Sequence, residues 1–326
     1  MKQKVLNYLI QQEGYVSGQD ISRDLGVSRT SVWKCIKGLR QEGYRIESMT
    51  RRGYRFISRP DTINEQEIRR HLKEGVLPGE ILVLPVVDSI NEEAKRAFHQ
   101  GCPDRSLFVS DRQTAGKGRR GREWISPGGK DVFFSFLLKP DLPPECASML
   151  TLLCAIAGVG ALKRQAAGDY QIKWPNDIVL GGKKICGILT EMSADMDRVH
   201  YIIPGIGFNL NRTDFDPSIR HMASSVYLET GREIDRSRFV ADYVNEFMGR
   251  YDIFLRDQDL GSFVDEYQAC LVNVGREVKI SLKDREMTRT ALGINNRGEL
   301  LVKDAGGRIS AILSGEVSVR GLYGYV

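Results

Sequence analysis

Lys173-Trp174-Pro175-Asn176-Asp177-Ile178-Val179-Leu180-Gly181-Gly182-Lys183-Lys184-Ile185-Cys186-Gly187-Ile188-Leu189 is the stretch from which the body of this chain is read. Two apolar runs flank Gly181-Gly182. Paired glycines between such runs make a tight hairpin, because both central residues of the favoured turn need positive φ. Asp177 stands at the mouth of the first strand and Lys184 just past the turn on the second, so the hairpin can bring carboxylate and ammonium together. Most such pairs are surface ion pairs that contribute little. Here both residues flank strands that read as buried, and a functional lysine is the alternative reading.

Upstream, Gly116-Lys117-Gly118-Arg119-Arg120-Gly121-Arg122-Glu123-Trp124 interleaves glycines with four cations. It contains G-x-G-x-x-G, but a dinucleotide-binding loop opens an apolar helix, whereas this run continues to Trp124 and Pro127-Gly128-Gly129. Glycines let the backbone approach an anion closely, and guanidinium groups grip phosphate oxygens in pairs. So many glycines also make a loop that side-chain packing cannot hold. Composition alone leaves three readings open: a small-molecule phosphate site, a nucleic-acid patch and a solvated loop.

Around these two segments, residues 65–270 alternate helical and strand patterns, as in an α/β or α+β domain. Asn64 to Lys73 reads as its opening helix. Residues 272–326 change character: Val278-Lys279-Ile280-Ser281-Leu282 alternates strictly, Asn295-Asn296-Arg297-Gly298 is a turn, Leu300-Leu301-Val302 follows, and Gly315-Glu316-Val317-Ser318-Val319 alternates again. This is a small all-β module, expected to be a short barrel.

Ahead of the linker Ser58-Arg59-Pro60-Asp61, residues 1–60 read as three short helices and a hairpin. Val5, Leu6, Leu9 and Ile10 form one helical stripe. Ser17-Gly18-Gln19-Asp20 starts a second helix that carries Ile21 and Leu25 inward and ends at Gly26. Ser28 caps a third, with Val32, Ile36 and Leu39 on one face, and Gly43 closes it. Tyr44-Arg45-Ile46-Glu47 and Gly53-Tyr54-Arg55-Phe56 alternate around a basic turn at Arg51-Arg52. That order is a winged helix-turn-helix. Arg29, Thr30, Lys34 and Lys37 lie off the apolar stripe, with Ser28 and Ser31 beside them, and suit phosphates and base edges in a major groove. A solvated basic helix is the plainer reading, but turn spacing, wing and charge together favour DNA. Trp33 is expected to pack on the wing.

Charge supports that division. Residues 1–60 hold 12 Lys and Arg against 5 Asp and Glu, a net of +7, while the whole 326-residue chain is +5, leaving −2 for residues 61–326. A basic domain on a near-neutral body points to a polyanion for that domain alone. A hydrophobic content of 41% excludes a disordered chain. The start, Met1-Lys2-Gln3-Lys4-Val5, carries no secretory signal, and no stretch is expected to approach the about 18 apolar residues of a spanning helix. Six cysteines without a CxxC pair and four histidines argue against zinc and disulfides, as in a reducing cytosol.

The set Asp88-Ser89-Ile90-Asn91, Gln113-Thr114-Ala115-Gly116-Lys117-Gly118-Arg119-Arg120-Gly121-Arg122, Lys173-Trp174-Pro175-Asn176-Asp177, Lys184-Ile185-Cys186-Gly187-Ile188-Leu189 and Gly205-Ile206-Gly207-Phe208-Asn209 closely resembles the bifunctional biotin protein ligase/biotin operon repressor family, over essentially the whole chain. The resemblance implies an α+β multidomain fold: a winged helix-turn-helix at 1–60, a catalytic α/β domain with a mixed sheet of the class II synthetase type at 65–270, and a small SH3-like β-barrel at 272–326.

It implies that biotin and MgATP give biotinoyl-5′-AMP, whose biotin passes to a lysine of the carrier domain of acetyl-CoA carboxylase and of pyruvate carboxylase. Ser89, Ile90, Asn91, Gln113, Gly116, Lys117, Arg119, Lys184 and Gly187 are then expected around biotin. Arg119, Arg122 and Lys184 would hold the adenylate phosphate. Arg120, Trp124, Asn176 and Asn209 would lie near the nucleotide, Trp124 covering the adenine, and Asp177 would position the acceptor lysine or take its proton. Magnesium would come with ATP, with no metal site built by the protein. Ile90 stands where the family often has Thr, which removes one hydroxyl. Lys117 stands where Arg is common, and a point charge cannot make the planar fork. The intermediate is implied to act as corepressor, promoting a homodimer on operator DNA in the cytoplasm, away from any membrane. Two other readings stand beside this one: a ligand-sensing transcription factor without transfer activity, and a lipoate-type ligase, which usually lacks the glycine–arginine loop. A third would make the N-terminal domain merely structural, against its charge.

Overall fold

The computed structural model describes residues 1–58, 62–196, 198–282, 285–313, 317–321 and 325. Arg59, Pro60 and Asp61 of the expected linker, and Gly315 and Glu316 of the last expected strand, lie outside the described residues. The chain forms two compact units, Met1–Thr62 and Ile63–Val326.

In the first unit, α1 (Lys2–Ile10), α2 (Gly18–Asp24) and α3 (Arg29–Gln41) precede a hairpin of β1 (Arg45–Met49) and β2 (Gly53–Ser58). Ser17 and Ser28 cap the second and third helices, each hydroxyl accepting from a backbone N–H three residues on. That satisfies donors the helix itself leaves orphaned. Gly26 and Gly43, both at positive φ, stop the same two helices, because the left-handed conformation costs glycine no Cβ clash. Val5, Leu6, Leu9, Ile21, Val32, Ile36, Leu39 and Ile46 form the core. Leu25 is only partly buried against it. Trp33 departs from expectation: it is 52% exposed, with the Lys37 ammonium 5.3 Å from its ring centre. The apolar stripe of α3 runs through Val32 and Ile36, and Trp33 falls on the helix's solvent side.

The second unit is built on a seven-stranded mixed sheet ordered β3-β4-β5-β9-β8-β7-β6. The strands are β3 (Ile81–Val87), β4 (Ser106–Gln113), β5 (Val132–Leu137), β6 (Gln171–Lys173), β7 (Asp177–Leu180), β8 (Lys183–Ala194) and β9 (Val199–Phe208). Among the described strands of this sheet, β3 and β4 pair in parallel and the other neighbours antiparallel. After α4 (Glu65–His71), α5 (Ile90–His99) covers one face; α6 (Ala147–Gln165) and α8 (Arg236–Asp257), the latter preceded by the short α7 (Val226–Thr230), cover the other. On that second face Phe134, Phe136, Phe208, Phe239, Tyr243 and Phe247 meet in edge and stacked contacts.

Pro144–Gln165 overturns one expectation. Its 22 residues are long and apolar enough to cross a membrane, yet 78% of its most apolar window is buried within this unit. A helix packed by sheet on one side and helix on the other is apolar all round, as a core helix must be. At Gly158 a Cβ would come within 2.6 Å of Ile178 and 2.9 Å of Phe208.

After α9 (Val264–Cys270) comes a five-stranded antiparallel sheet ordered β13-β12-β11-β10-β14, from β10 (Glu277–Leu282), β11 (Arg285–Ile294), β12 (Leu300–Lys303), β13 (Ile309–Ile312) and β14 (Val317–Gly321). The hydrophobic core continues into it through Val278, Ile280, Ala291, Leu300 and Val302. The Trp174 indole donates to the Gly298 carbonyl at 3.0 Å, and Asn273 accepts from the Trp174 backbone N–H at 3.0 Å. The KWPND segment is thus held from behind by the β-module.

Candidate functional site

Strand alternation builds the floor. Along β8 and β9, Cys186, Ile188, Ile206 and Phe208 point into the helix-covered core, so Gly187, Leu189, Gly205 and Gly207 fall on the other face. Gly187 pairs with Gly207, and Leu189 with Gly205. Three of those four positions lack a side chain, and the space above them is already occupied. A Cβ at Gly187 would lie 2.5 Å from the Trp124 ring, one at Gly207 2.9 Å from the same ring, and one at Gly205 1.9 Å from Asn91 Oδ1.

A cavity of about 50 Å³ sits on this floor, lined by Ser89, Ile90, Asn91, Gln113, Lys117, Gly118, Arg119, Trp124, Asn176, Lys184 and Gly187 among others. Every residue expected around biotin is there except Gly116, which lies just behind it: the Trp124 N–H donates to the Gly116 carbonyl at 2.9 Å. Ser89 is the residue preceding α5. The Ile90 backbone N–H donates to Gln113 Oε1 at 2.8 Å, so Ile90 keeps a polar role that needs no hydroxyl.

A larger cavity of about 820 Å³ adjoins the first, lined by Arg119, Arg120, Arg122, Trp124, Asn176, Asp177, Lys184, Asn209, Arg212 and Phe215 among others. The two share Gly118, Arg119, Trp124, Asn176 and Lys184. Arg119 and Lys184 therefore stand at the junction. Gly181 and Gly182, at φ +58° and +75°, make the tight turn, and the returning strand sets Lys184 Nζ 2.6 Å from Asp177 Oδ1. Arg119 donates to Asn176 Oδ1 at 3.0 Å, and Asn176 donates to Asp177 Oδ1 at 3.1 Å. Burial lowers the Arg119 pKa, with Asp177 pulling the other way. A guanidinium that has lost water is ready for an anion.

The glycine–arginine run forms a short turn at Arg119–Gly121 with Arg120 at φ 59°, tied by the Gly118 N–H to the Arg122 carbonyl at 2.7 Å. Its Lys117 pairs with Glu92 of α5 at 2.7 Å. Hydrogen bonds from Lys117 and then Lys95 hold the Glu92 carboxyl below its usual range, against burial.

The sequence reading missed the wall between Leu210 and Ser225. The Lys184 N–H donates to the Met222 carbonyl at 2.7 Å and the Ser224 N–H returns to the Lys184 carbonyl at 2.9 Å. The Arg212 guanidinium lies 4.7 Å from the Phe215 ring centre and 3.1 Å from buried Asp131. Asn209, expected near the nucleotide, lines this cavity while its amide donates to the Ser224 carbonyl. No periodicity marks such a segment. Arg212 and Phe215 close after Asn209 were the signal that could have found it.

In the first unit Arg29, Thr30, Lys34 and Lys37 on α3 are exposed, as are Arg51 and Arg52 at the hairpin tip. Among the described residues none of these five cations is in an ion pair. The Ser28 hydroxyl is engaged by capping, and the Ser31 hydroxyl accepts from it at 3.0 Å.

One unit with a helix-turn-helix, and another whose two cavities meet at a pair of cations, define a DNA-binding protein joined to a ligand-handling one. Comparison with known proteins specifies which. Residues 83–209 match the biotin/lipoate A/B protein ligase family, residues 2–55 an HTH domain, and residues 274–320 the biotin protein ligase C-terminal domain. The chain is 38% identical over 323 residues to the bifunctional ligase/repressor BirA of Bacillus subtilis, covering 97% of this chain and 98% of that protein. It is 28% identical to the Escherichia coli protein of the same name, covering 93% and 92%. Among solved structures, the biotin protein ligase of Aquifex aeolicus in complex with biotin and ATP superposes with a TM-score of 0.65 at 29% identity, over 74% of this chain and 99% of that one. The chain belongs to the family of bifunctional biotin protein ligases and biotin operon repressors.

Proposed function

We propose that this protein is an ATP-dependent biotin protein ligase that also represses transcription, with biotinoyl-5′-AMP serving both roles. The observation that carries the ligase reading is the junction of the two cavities at Arg119 and Lys184. The smaller cavity takes the acid and the larger the nucleotide. A carboxylate attacking the α-phosphate of ATP brings two anions together, and cations at their meeting point offset that repulsion and the charge developing in the transition state. Pyrophosphate leaves, and the mixed anhydride stays beneath the glycine–arginine loop, shielded from water. The neutral ε-amine of an acceptor lysine then attacks the carbonyl, and AMP leaves. Asp177 orients that amine or receives its proton.

Ser89, Ile90, Asn91, Gln113, Gly116, Lys117, Arg119, Lys184 and Gly187 surround biotin in this reading, and Arg119, Arg120, Arg122, Trp124, Asn176, Lys184 and Asn209 serve the adenylate. The smaller cavity is narrow because the Trp124 indole lies over Gly187 and Gly207, so seating biotin moves that ring onto the adenine side. Mg²⁺ enters with the phosphates of ATP.

The acceptors are the carrier domains of acetyl-CoA carboxylase and pyruvate carboxylase. Arg29, Thr30, Lys34 and Lys37, with Ser28, Ser31, Arg51 and Arg52, form the operator face, and a ligand-bound homodimer sets two such faces on a palindrome. The working division is 1–60, 65–270 in the manner of class II synthetases, and 272–326 as an SH3-like barrel, in a cytoplasmic protein.

The test is exchange of labelled pyrophosphate into ATP. We expect exchange with biotin and none with lipoate, and a loss of about 10²–10³-fold in Lys184→Ala. Exchange driven by lipoate, or by neither acid, would overturn the assignment.

A further inference from the structure

Asn91 is the second residue of α5, and its carboxamide is fixed more tightly than lining a pocket requires. Its Nδ2 donates to Glu191 Oε2 at 2.8 Å and to the Leu189 carbonyl at 3.2 Å, while its Oδ1 accepts from Ser135 Oγ at 2.6 Å. Both amide hydrogens are consumed. Glu191 lies on β8, and its other carboxylate oxygen is 2.8 Å from Lys95 Nζ. Lys95 stands four residues after Asn91, one turn on along the same face of α5, and it reaches Glu92 at 2.9 Å as well.

A carboxamide's oxygen and nitrogen are told apart by the company they keep. Turned over, the Asn91 oxygen would face two acceptors, the Leu189 carbonyl and the Glu191 carboxylate. The two acceptors together enforce one orientation, and Glu191 supplies the shorter, charged contact of the pair, at 2.8 Å against 3.2 Å for the Leu189 carbonyl. The oxygen accepts once from Ser135 and keeps a second lone pair, beside Gly205, where the missing Cβ gives it room. Asn91 is 3% exposed and Gly205 shares its cavity. A ligand meeting Asn91 there finds an acceptor only.

We infer that Glu191 is a positioning residue that locks the Asn91 carboxamide as a hydrogen-bond acceptor, so that the pocket selects an acid carrying an N–H donor and gains nothing from one that lacks it. The inference rests on the proposed function and adds to it a physical ground for separating biotin, with its ureido N–H groups, from lipoate, which has none. A site built to hydrogen-bond an N–H rejects the analogue without it, because the buried acceptor is then left unpaired. Neither Glu191 nor Lys95 stood out in the sequence: an acidic residue late in an apolar strand reads as a solvent-facing position.

The experiment is calorimetric titration of the full chain, without ATP, with biotin and with biotin methylated on a ureido nitrogen. The parent is expected to prefer biotin. In Glu191→Leu the carboxamide keeps only the longer bond to the Leu189 carbonyl and is held less firmly, biotin binding weakens about 10- to 100-fold, and the preference over the methylated analogue shrinks. Glu191→Gln retains an acceptor for Asn91 and is expected to keep both affinity and preference. Glu191→Leu binding biotin as tightly as the parent, or losing both ligands in equal proportion, would overturn the positioning role while leaving the ligase reading intact. A parent that binds no biotin would instead remove the proposed function beneath it.

Discussion

On α3 the cations Arg29, Lys34 and Lys37 are exposed, and none is in an ion pair among the described residues. In the ligand site the three cations nearest the smaller cavity are engaged, Lys184 with Asp177, Arg119 with Asn176 and Lys117 with Glu92, while Arg120 and Arg122 on the loop stay exposed. The two regions handle the same chemical problem, an anionic phosphate, in different ways. A duplex presents many phosphates at known spacing, and a mobile exposed cation binds them by releasing counterions. A single α-phosphate undergoing reaction demands groups fixed in advance, since donors that must reorganise during the reaction stabilise its transition state less. Net charge therefore reports the first region, and internal pairing reports the second.

That contrast can be broken by experiment. The larger effect is expected from Arg29→Ala, Lys34→Ala and Lys37→Ala combined in the full chain. Operator binding should weaken by about 1–3 kcal/mol for each removed side chain that reads a base edge, and the slope of its salt dependence should become shallower by about 0.9 for each phosphate no longer neutralised. Pyrophosphate exchange should stay at the parent's rate. If exchange falls with operator affinity, the two regions are not separable as described. The smaller effect is expected from Ser28→Ala, which removes the cap on α3. Thermal melting should show the first unit destabilised by about 1 kcal/mol, with the second unit's transition unchanged. A melt unaffected by removal of the cap would mean that packing of Val32, Ile36 and Leu39 alone fixes where that helix begins.

Much of the fold was legible because local rules and the final structure agree. The caps at Ser17 and Ser28, the stops at Gly26 and Gly43 and the paired-glycine turn at Gly181-Gly182 each follow from backbone sterics within a few residues. Legibility failed where the deciding neighbour is distant in sequence. Pro144–Gln165 has the composition of a spanning segment, and only the sheet and α8 packed around it make it a core helix. Trp33 depends on which side of α3 the core claims. The site divides along the same line. Lys184 and Asp177 are neighbours across a hairpin, so spacing brings them together. Asn91 and Glu191, or Lys184 and Met222, meet only through the order of strands and a returning segment, for which the sequence carries no period. Glycine was the best long-range clue: Gly187, Gly205 and Gly207 mark the strand positions where the site needs backbone instead of side chain.

In the proposed function, one intermediate joins the two regions. That link is tested by operator affinity, measured on the full chain with and without biotin plus ATP, alongside Lys184→Ala, in which adenylate formation is expected to fall about 10²–10³-fold. Biotin plus ATP is expected to tighten operator binding in the parent and to change it little in the variant. Equal operator affinity with and without the two substrates in the parent would contradict it.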